Sequence, residues 1–411
     1  MFEGTDRHTQ VLNVAREILQ IQDLDVLLER ILTEARRFVN ADAGSLYLKE
    51  GSNLKFSYTQ NETLQAKLEP GKKMQYSTFT VPISNSSISG YVANNSEMLN
   101  IPDAYEIPGD APYAFGREFD EAVGYRTKSM LTFPVVNTRK EVLGVLQLIN
   151  ARDSKGEVIA FDPADEPFVM HFADNAALAI ERATMTRAII MRMIAMAELR
   201  DPKETGPHVN RVAAYSMEIY EQWARKKGME EDEIQRNRDI LRMAAMLHDV
   251  GKIAISDAIL KKPGRLDPDE RAVMEEHAMH GARLFRDKYS DFDDAAMMVA
   301  LCHHEKWDGS GYPGHINPTT GKALPGYETE GGGARGKKAE EIHPFGRVVA
   351  LADVYDALSC RRSYKDPWPE VKVLETLRQD AGTHFDPEMV EVFIDTIDNI
   401  RSISDRYPDK D

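Results

Sequence analysis

Met243-Ala244-Ala245-Met246-Leu247-His248-Asp249-Val250-Gly251-Lys252 is the stretch on which the reading of this chain turns. An apolar helical run ends in an adjacent imidazole and carboxylate, and a glycine and a lysine follow. On a helix of 3.6 residues per turn, His248 and Asp249 point about 100° apart. They can converge on neighbouring sides of one ion, and the two oxygens of Asp249 let it reach a second ion. Working outward, His303-His304 forms a second adjacent pair, followed by Glu305, Trp307 and Asp308-Gly309-Ser310-Gly311-Tyr312-Pro313. His277 lies between the pairs in a helical stretch. His208 heads the first helix of this half, with Glu204 four residues before it, and Asp353 falls in a later helix expected over Val348–Leu358. A single histidine of this kind is more often structural. Five histidines and three carboxylates on separate helices form a polymetal ligand set, of the kind helical bundles build from inward-facing side chains on facing helices.

The rest of the composition frames that set. The chain has 411 residues, 51 Lys+Arg and 67 Asp+Glu, for a net charge of −16. At about 150 residues per domain, the length suggests two or three domains. Hydrophobic content of 42% and charged content of 29% describe an ordinary globular chain. The acidic balance argues against a duplex nucleic-acid binder. No apolar run is long enough to cross a bilayer, and the start of the chain lacks the pattern of a secretory signal, so a cytoplasmic protein without membrane attachment is expected. Two cysteines, Cys302 and Cys360, cannot form a disulfide framework. Cys302 is read as a small buried residue beside the histidine pair. His280, His315 and His384 are read as lying outside the ligand set. Only His8 and His171 precede residue 200, so imidazole chemistry belongs to the second half.

The first half reads as α+β. Leu24, Leu27, Leu28, Ile31, Leu32, Ala35 and Phe38 recur at helical spacing within Asp23–Val39. Ser45–Lys49 and Leu54–Tyr58 flank a hairpin turn, Ile88–Ala93 is a short helix, and Met130–Val136 with Val142–Ile149 make a second hairpin. From Asp165 to Leu199 the spacing predicts one long helix or two consecutive ones, with a break around Arg187. This stretch is either a packed terminal helix or a rod that pairs with its copy in a dimer. After Asp201-Pro202 the pattern is nearly all helical. Gly314–Glu341, polar and glycine-rich, reads as a mobile surface loop.

The second-half motifs, in this order, resemble the signature of the HD-GYP phosphodiesterases. The resemblance runs from about Glu198 to Phe393 and takes in Gly206-Pro207-His208, His277 with Gly281, Arg347, Ala352-Asp353-Val354-Tyr355-Asp356-Ala357-Leu358, Arg362, Tyr364-Lys365 and Phe385-Asp386-Pro387. It implies metal ligands at His208, His248, Asp249, His277, His303, His304 and Asp353. Glu204 matches the extra carboxylate of members with three metals rather than two. Lys252 matches a lysine near the scissile phosphate, and Arg362 and Lys365 match residues that hold substrate phosphates. Tyr312 is implied to shape the substrate loop or a partner surface. Two or three divalent ions are implied, iron first and manganese next, with cyclic di-GMP or cyclic GMP-AMP as substrate. A cyclase partner is also implied. The sequence departs from the family in the length of the 314–341 insertion and in His343, where proline is usual; both are expected near the pocket mouth.

The first half more loosely resembles a GAF domain. Asn150, Phe161, Asp165 and Glu166 match the motif of its cyclic-nucleotide-binding members, although Ala151 replaces the basic residue that forms a structural ion pair there, and Arg152 follows. The implied organisation is a GAF-like sensory or dimerisation domain over 1–183, a helical connector over about 165–199 and an HD-GYP domain over 200–411. The GAF-like domain is expected to hold a small ligand or to join a homodimer.

Within the site, Asp249 is the natural bridge. His208, His248 and Asp353 fall on one side of it, and His277, His303 and His304 on the other. Two ions offset by Asp249 and Asp353 leave a cationic pocket suited to a substrate with two phosphodiester anions. Asp249 and Lys252 are the expected catalytic residues, and Tyr312, Arg362 and Lys365 join Lys252 in binding substrate. The alternatives are a non-catalytic cyclic-dinucleotide receptor or scaffold, and a single-metal HD nucleotidohydrolase.

Overall fold

The computed structural model describes residue 9 and residues 12–68, 79–200, 206–360 and 367–408. Two compact units meet in sequence between Arg187 and Ala188.

The first unit is built on an antiparallel sheet. Helix α1 (Leu24–Phe38) begins where the Asp23 carboxylate accepts the Asp25 and Val26 N–H groups, which satisfies donors that a helix start leaves open. It leads into strands β1 (Ala41–Glu50) and β2 (Asn53–Asn61), then β3 (Thr80–Pro82), helix α2 (Ile88–Asn95) and strands β4 (Leu99–Ile101), β5 (Met130–Val136), β6 (Val142–Arg152) and β7 (Val158–Ile159). The strand order among the described residues is β3-β2-β1-β6-β5-β4, with β7 also on β6. The period-2 alternation of the strands decides the faces. Leu46, Phe133, Leu146 and Leu148 pack with Leu27, Ile31 and Leu32 of α1 and with Phe172, Ala176 and Ile180. Tyr47, Phe56 and Val145 instead pack with Val92 and Ala93 of α2. This is the fold class expected from sequence.

Helix α3 (Glu166–Glu198) is continuous for 33 residues. The break in its apolar stripe does not break the helix; it coincides with the boundary between the units. Arg187 turns to Asp25, with Nη1 2.8 Å from Oδ2. Leu178, Met185, Ile189 and Met196, at steps of seven, four and seven, are exposed along it.

The missing basic residue at Ala151 has a visible outcome. Glu166 accepts from the Asn100 amide at 2.9 Å. Arg152 turns instead to the buried Asp42, Nη2 to Oδ1 2.5 Å, and lies 3.8 Å from Glu62. Asp42 also accepts from the Tyr125 hydroxyl at 2.7 Å and from Thr63 through its N–H and hydroxyl.

The second unit is helical: α4 (Gly206–Lys226), α5 (Glu231–Ala245), α6 (His277–Leu284), α7 (Asp291–Cys302), α8 (Pro344–Ser359), α9 (Glu370–Gln379), α10 (Pro387–Asp395) and α11 (Ile397–Arg406), with the short helices Asp257–Leu260 and Pro268–Glu275 before α6 and the long 303–343 connection before α8. Val212, Tyr215 and Ile219 of α4, Leu241 and Ala244 of α5, Ala300 of α7 and Val348 and Leu351 of α8 form its core.

The 314–341 insertion is a surface loop, as its composition suggested, and its turns are closed by hydrogen bonds. His315 N–H donates to Arg335, Leu324 N–H to His315 and Arg335 N–H to Tyr327, at 2.7–2.9 Å. Asn317 accepts from Thr319 and Thr320, and Arg283 of α6 donates to the Pro318 carbonyl at 2.9 Å. Its polar residues are turn formers whose hydrogen bonds close locally. No described helix is long and apolar enough to cross a membrane.

Candidate metal centre

The histidines and carboxylates gather mainly at helix ends, where the sequence suggested facing helix surfaces. His208 lies in the first turn of α4, His277 opens α6, and His303 caps the end of α7 with His304 next. Asp353 lies within α8. His248 and Asp249 are not on a helix. They occupy the turn between α5 and a 3₁₀ segment, Val250–Ala254, in which His248 N–H bonds to Ala245 and Val250 N–H to Leu247. Tightening to i→i+3 bonding is common where a helix ends, and here it swings both side chains inward. Gly251 then lets α6 come close: a Cβ there would fall 2.0 Å from the His277 carbonyl oxygen and 2.3 Å from Gly281 N. Glycine at this position is what brings His277 beside Asp249.

Two groups of donors result. Asp249, His277, His303 and His304 offer ligand atoms that all lie within 4.8 Å of one another; His208, His248 and Asp353 do the same. Asp249 faces both. Its Oδ1 lies 3.1 Å from His277 Nε2 and 3.5 Å from His303 Nε2, and its Oδ2 lies 3.4 Å from His248 Nε2. In the second group His208 Nε2 is 3.6 Å from Asp353 Oδ1.

The tautomers follow from the far side of each ring. His248 Nδ1 faces the Ala245 carbonyl at 2.9 Å, His277 Nδ1 the Met274 carbonyl at 2.7 Å, and His303 Nδ1 the Val299 and Ala300 carbonyls at 3.1 Å. Carbonyl oxygens only accept, so each Nδ1 carries the proton, and in the neutral ring Nε2 presents a lone pair. His208 Nδ1 is likewise 2.8 Å from Asp356 Oδ2, and Asp356 is gripped by Arg211 through Nε at 2.6 Å and Nη2 at 2.9 Å. Burial alone would raise the Asp356 carboxyl, but His208 and Arg211 outweigh it and hold it at about 2. A carboxylate or carbonyl behind each histidine is the usual means of orienting a metal ligand.

Charge sharpens the picture. Burial would raise the Asp249 carboxyl, yet the Lys252 ammonium, 2.6 Å from Oδ2, helps to keep it well below the usual carboxylate range. Burial lowers His303, and it lowers His304 further with the help of His303 and His277. An ionised carboxylate oxygen therefore faces the His303 imidazole, which burial keeps toward its neutral, lone-pair-bearing form. Asp249 Oδ1 is buried with no hydrogen-bond donor among the described residues. Lone pairs aimed at one another repel, and a divalent cation among them converts that repulsion into coordination. The donors are nitrogen and oxygen without thiolate, which fits manganese, iron, zinc or nickel. The residues fit a metal centre.

Tyr312 walls one side. Its ring stacks on His304 at 4.8 Å and lies 6.2 Å from His277. Glu204, Arg362 and Lys365 lie outside the described residues. Cys302 is buried where its Cβ abuts Gly346, and it belongs to neither donor group. His280, His315 and His384 also lie outside both groups. His343 is not at the centre. Its Nδ1 accepts the Phe345 N–H at the start of α8, and its ring lines a cavity of about 390 Å³ with Tyr220, Trp223 and Met298, which none of the donors borders. Sequence reasoning passed over Asp356, Arg211, Glu305 and Lys337 as site residues. Glu305, directly after the histidine pair, and Asp356, three residues after Asp353 and so on a neighbouring part of one helix face, carried the sequence signals.

Family models agree with this layout. The GAF domain model matches residues 23–180, the HD domain model 205–358, and a second HD domain model 328–389. The chain is 35% identical over 236 residues to the 3'3'-cGAMP-specific phosphodiesterase 2 of Vibrio cholerae, covering 57% of this chain and 40% of that protein. It is 35% identical over 234 residues to a cyclic di-GMP phosphodiesterase of the same organism, covering 56% and 43%. A cyclic di-GMP phosphodiesterase of Thermotoga maritima is 36% identical over 216 residues, covering 53% and 50%. The chain thus spans half or less of the length of these relatives. The donor groups fall within the matched HD domain, and the chain carries a GAF domain followed by an HD domain.

Proposed function

We propose that the chain is a metal-dependent phosphodiesterase that opens a cyclic dinucleotide, cyclic di-GMP first, to its linear form. The observation that carries the reading is Asp249, whose two oxygens face separate groups of buried nitrogen and oxygen donors. Proteins 35–36% identical to the matched part of the chain are named as phosphodiesterases of cyclic di-GMP and 3'3'-cGAMP.

His208, His248 and Asp353 would hold one ion, and His277, His303 and His304 another, with Asp249 between them and Glu204 available to a third. Bound divalent ions supply Lewis acidity toward a phosphodiester and a strong nucleophile at neutral pH. The chain's own groups do the rest. The histidine Nδ1–H groups fix the donor geometry. Tyr312 limits the space beside His304, and Lys252, now paired with Asp249, brings a point charge toward a phosphate oxygen. Arg362 and Lys365 are proposed as further phosphate contacts, since arginine suits fork-like recognition. Iron is the first metal proposed and manganese the second.

The GAF domain is proposed to regulate this site, through a small ligand or through a homodimer. The exposed Leu178, Met185, Ile189 and Met196 of α3 have the spacing of a coiled-coil seam, which favours a second copy. Anaerobic protein loaded with ferrous iron or manganese should linearise cyclic di-GMP. Binding without turnover under every metal would favour the receptor reading. Faster turnover of 3'3'-cGAMP would change the substrate and leave the chemistry intact.

A further inference from the structure

Glu305 follows the histidine pair directly but belongs to neither donor group. It is 2% exposed, and its carboxylate is engaged elsewhere. Oε1 accepts the Gly314 N–H at 2.7 Å, and Oε2 accepts the backbone N–H of Lys337 at 3.0 Å. The Lys337 ammonium lies 3.5 Å from Oε1 and donates to the Gly314 carbonyl at 3.0 Å. Both backbone polar groups of Gly314 are therefore held by one oppositely charged pair, with Glu305 preceding the insertion and Lys337 near its end. Gly314 has φ +80°, and a Cβ there would fall 2.4 Å from the Arg335 carbonyl oxygen. The chain cannot shift there without breaking the grip. Two residues earlier Tyr312 N–H bonds to the His304 carbonyl at 3.2 Å, and its ring stacks on His304.

Burying a carboxylate this deeply is costly, and a buried ion pair seldom repays its desolvation in stability. Burial does raise the Glu305 carboxyl, against the pull of Lys337 and the two backbone donors. The pair is better explained by what it fixes in place. We propose that Glu305 and Lys337 are positioning residues: gripping Gly314 from both sides, they hold Tyr312-Pro313-Gly314 as a fixed wall of the metal centre, so that Tyr312 meets the substrate in one place. The inference rests on the phosphodiesterase reading. It also gives the insertion a task, because its last residues supply the cation.

Gln at 305 would turn an NH₂ group toward an N–H donor, and Met at 337 would leave the carboxylate buried without its cation. The double variant restores charge balance, so its defect should be smaller than the product of the two single defects. Three measurements on the full chain decide the matter: metal per chain, hydrogen exchange of residues 306–316, and turnover of cyclic di-GMP. Glu305→Gln and Lys337→Met should each keep the parent's metal content, exchange faster over 306–316 while helix α7 stays protected, and lower kcat/KM roughly tenfold to hundredfold through misplacement. The double variant should lose less than the singles multiplied. Parent-like exchange over 306–316 would overturn the inference. So would a loss of kcat/KM that merely tracks lost metal, or single defects that multiply. An inactive parent would sink the phosphodiesterase reading alone, because the exchange pattern still decides whether the pair holds the loop.

Discussion

Two buried carboxylates, one in each unit, show how differently the same group can be used. Asp42 in the GAF domain is 2% exposed and Asp249 in the HD domain is 8% exposed. Asp42 is enclosed by donors: the Arg152 guanidinium, the Tyr125 hydroxyl and both polar groups of Thr63. Its burial is balanced by the protein itself, as a structural charge requires. Among the described residues Asp249 has one donor partner, Lys252, and its other oxygen faces imidazole nitrogens whose protons are committed behind them. The first arrangement is complete without a ligand, and the second offers the donor set that cations would complete. What separates structural from functional burial is which kind of atom looks at the charge.

Substitution at each carboxylate should separate the two. Asp249→Asn should lower phosphodiester turnover by 10²–10³-fold or more, on the order of the loss when a preorganised electrostatic group is removed. Metal analysis on the same sample should show ions lost while melting of the first unit is unchanged. Asp42→Ala should do the reverse. It leaves the partly exposed Arg152 without its main partner and should cost about 2–3 kcal/mol in the GAF domain, read by denaturant unfolding, with metal per chain as in the parent. If Asp42→Ala emptied the metal centre, the contrast would be wrong.

Asp356 tests the contrast one step back. Its carboxylate orients His208 while Arg211 balances it, so Asp356→Asn should weaken ion binding by about 10- to 100-fold without abolishing it. Titration calorimetry with manganese reads this directly, and parent-like affinity would dismiss the orienting role.

Acid offers a further test. His304 is pushed well below its ordinary value of 6.5, first by burial and then by His303 and His277, and His303 is lowered as well. Neutral imidazole is the ligand form. Ions should stay bound as the pH falls through 6.5 and be released only near the lower folded values. The same sign governs the metal-free protein. Below 6.5 the unfolded chain binds more protons than the folded one, so stability falls as the pH drops from 6.5 toward those values. Metal release centred at 6.5 would contradict the shifts. The smallest effect is expected at Cys302, where alanine should cost about 1 kcal/mol and leave the metal content alone.

The donor set was legible in the sequence because imidazole is rare and its positions cluster. Asp249, His277 and the His303-His304 pair needed no knowledge of the fold to be grouped. Their placement was less legible. Nothing local shows that His248 and Asp249 leave the helix for a tight turn, because that depends on Gly251 meeting α6 far along the chain. The α1 helix and both hairpins followed from period and turn chemistry. The turns within the insertion were not legible, because composition cannot tell turns that close on themselves from a chain that wanders. Glu305 and Lys337, 32 residues apart, meet only through that folding.

The most direct measurement is an anomalous difference map of manganese-loaded crystals grown without oxygen. The account predicts separate peaks among His277, His303 and His304 and among His208, His248 and Asp353, with Asp249 touching both. A single peak that Asp249 does not touch, or no peak among these residues, would contradict it.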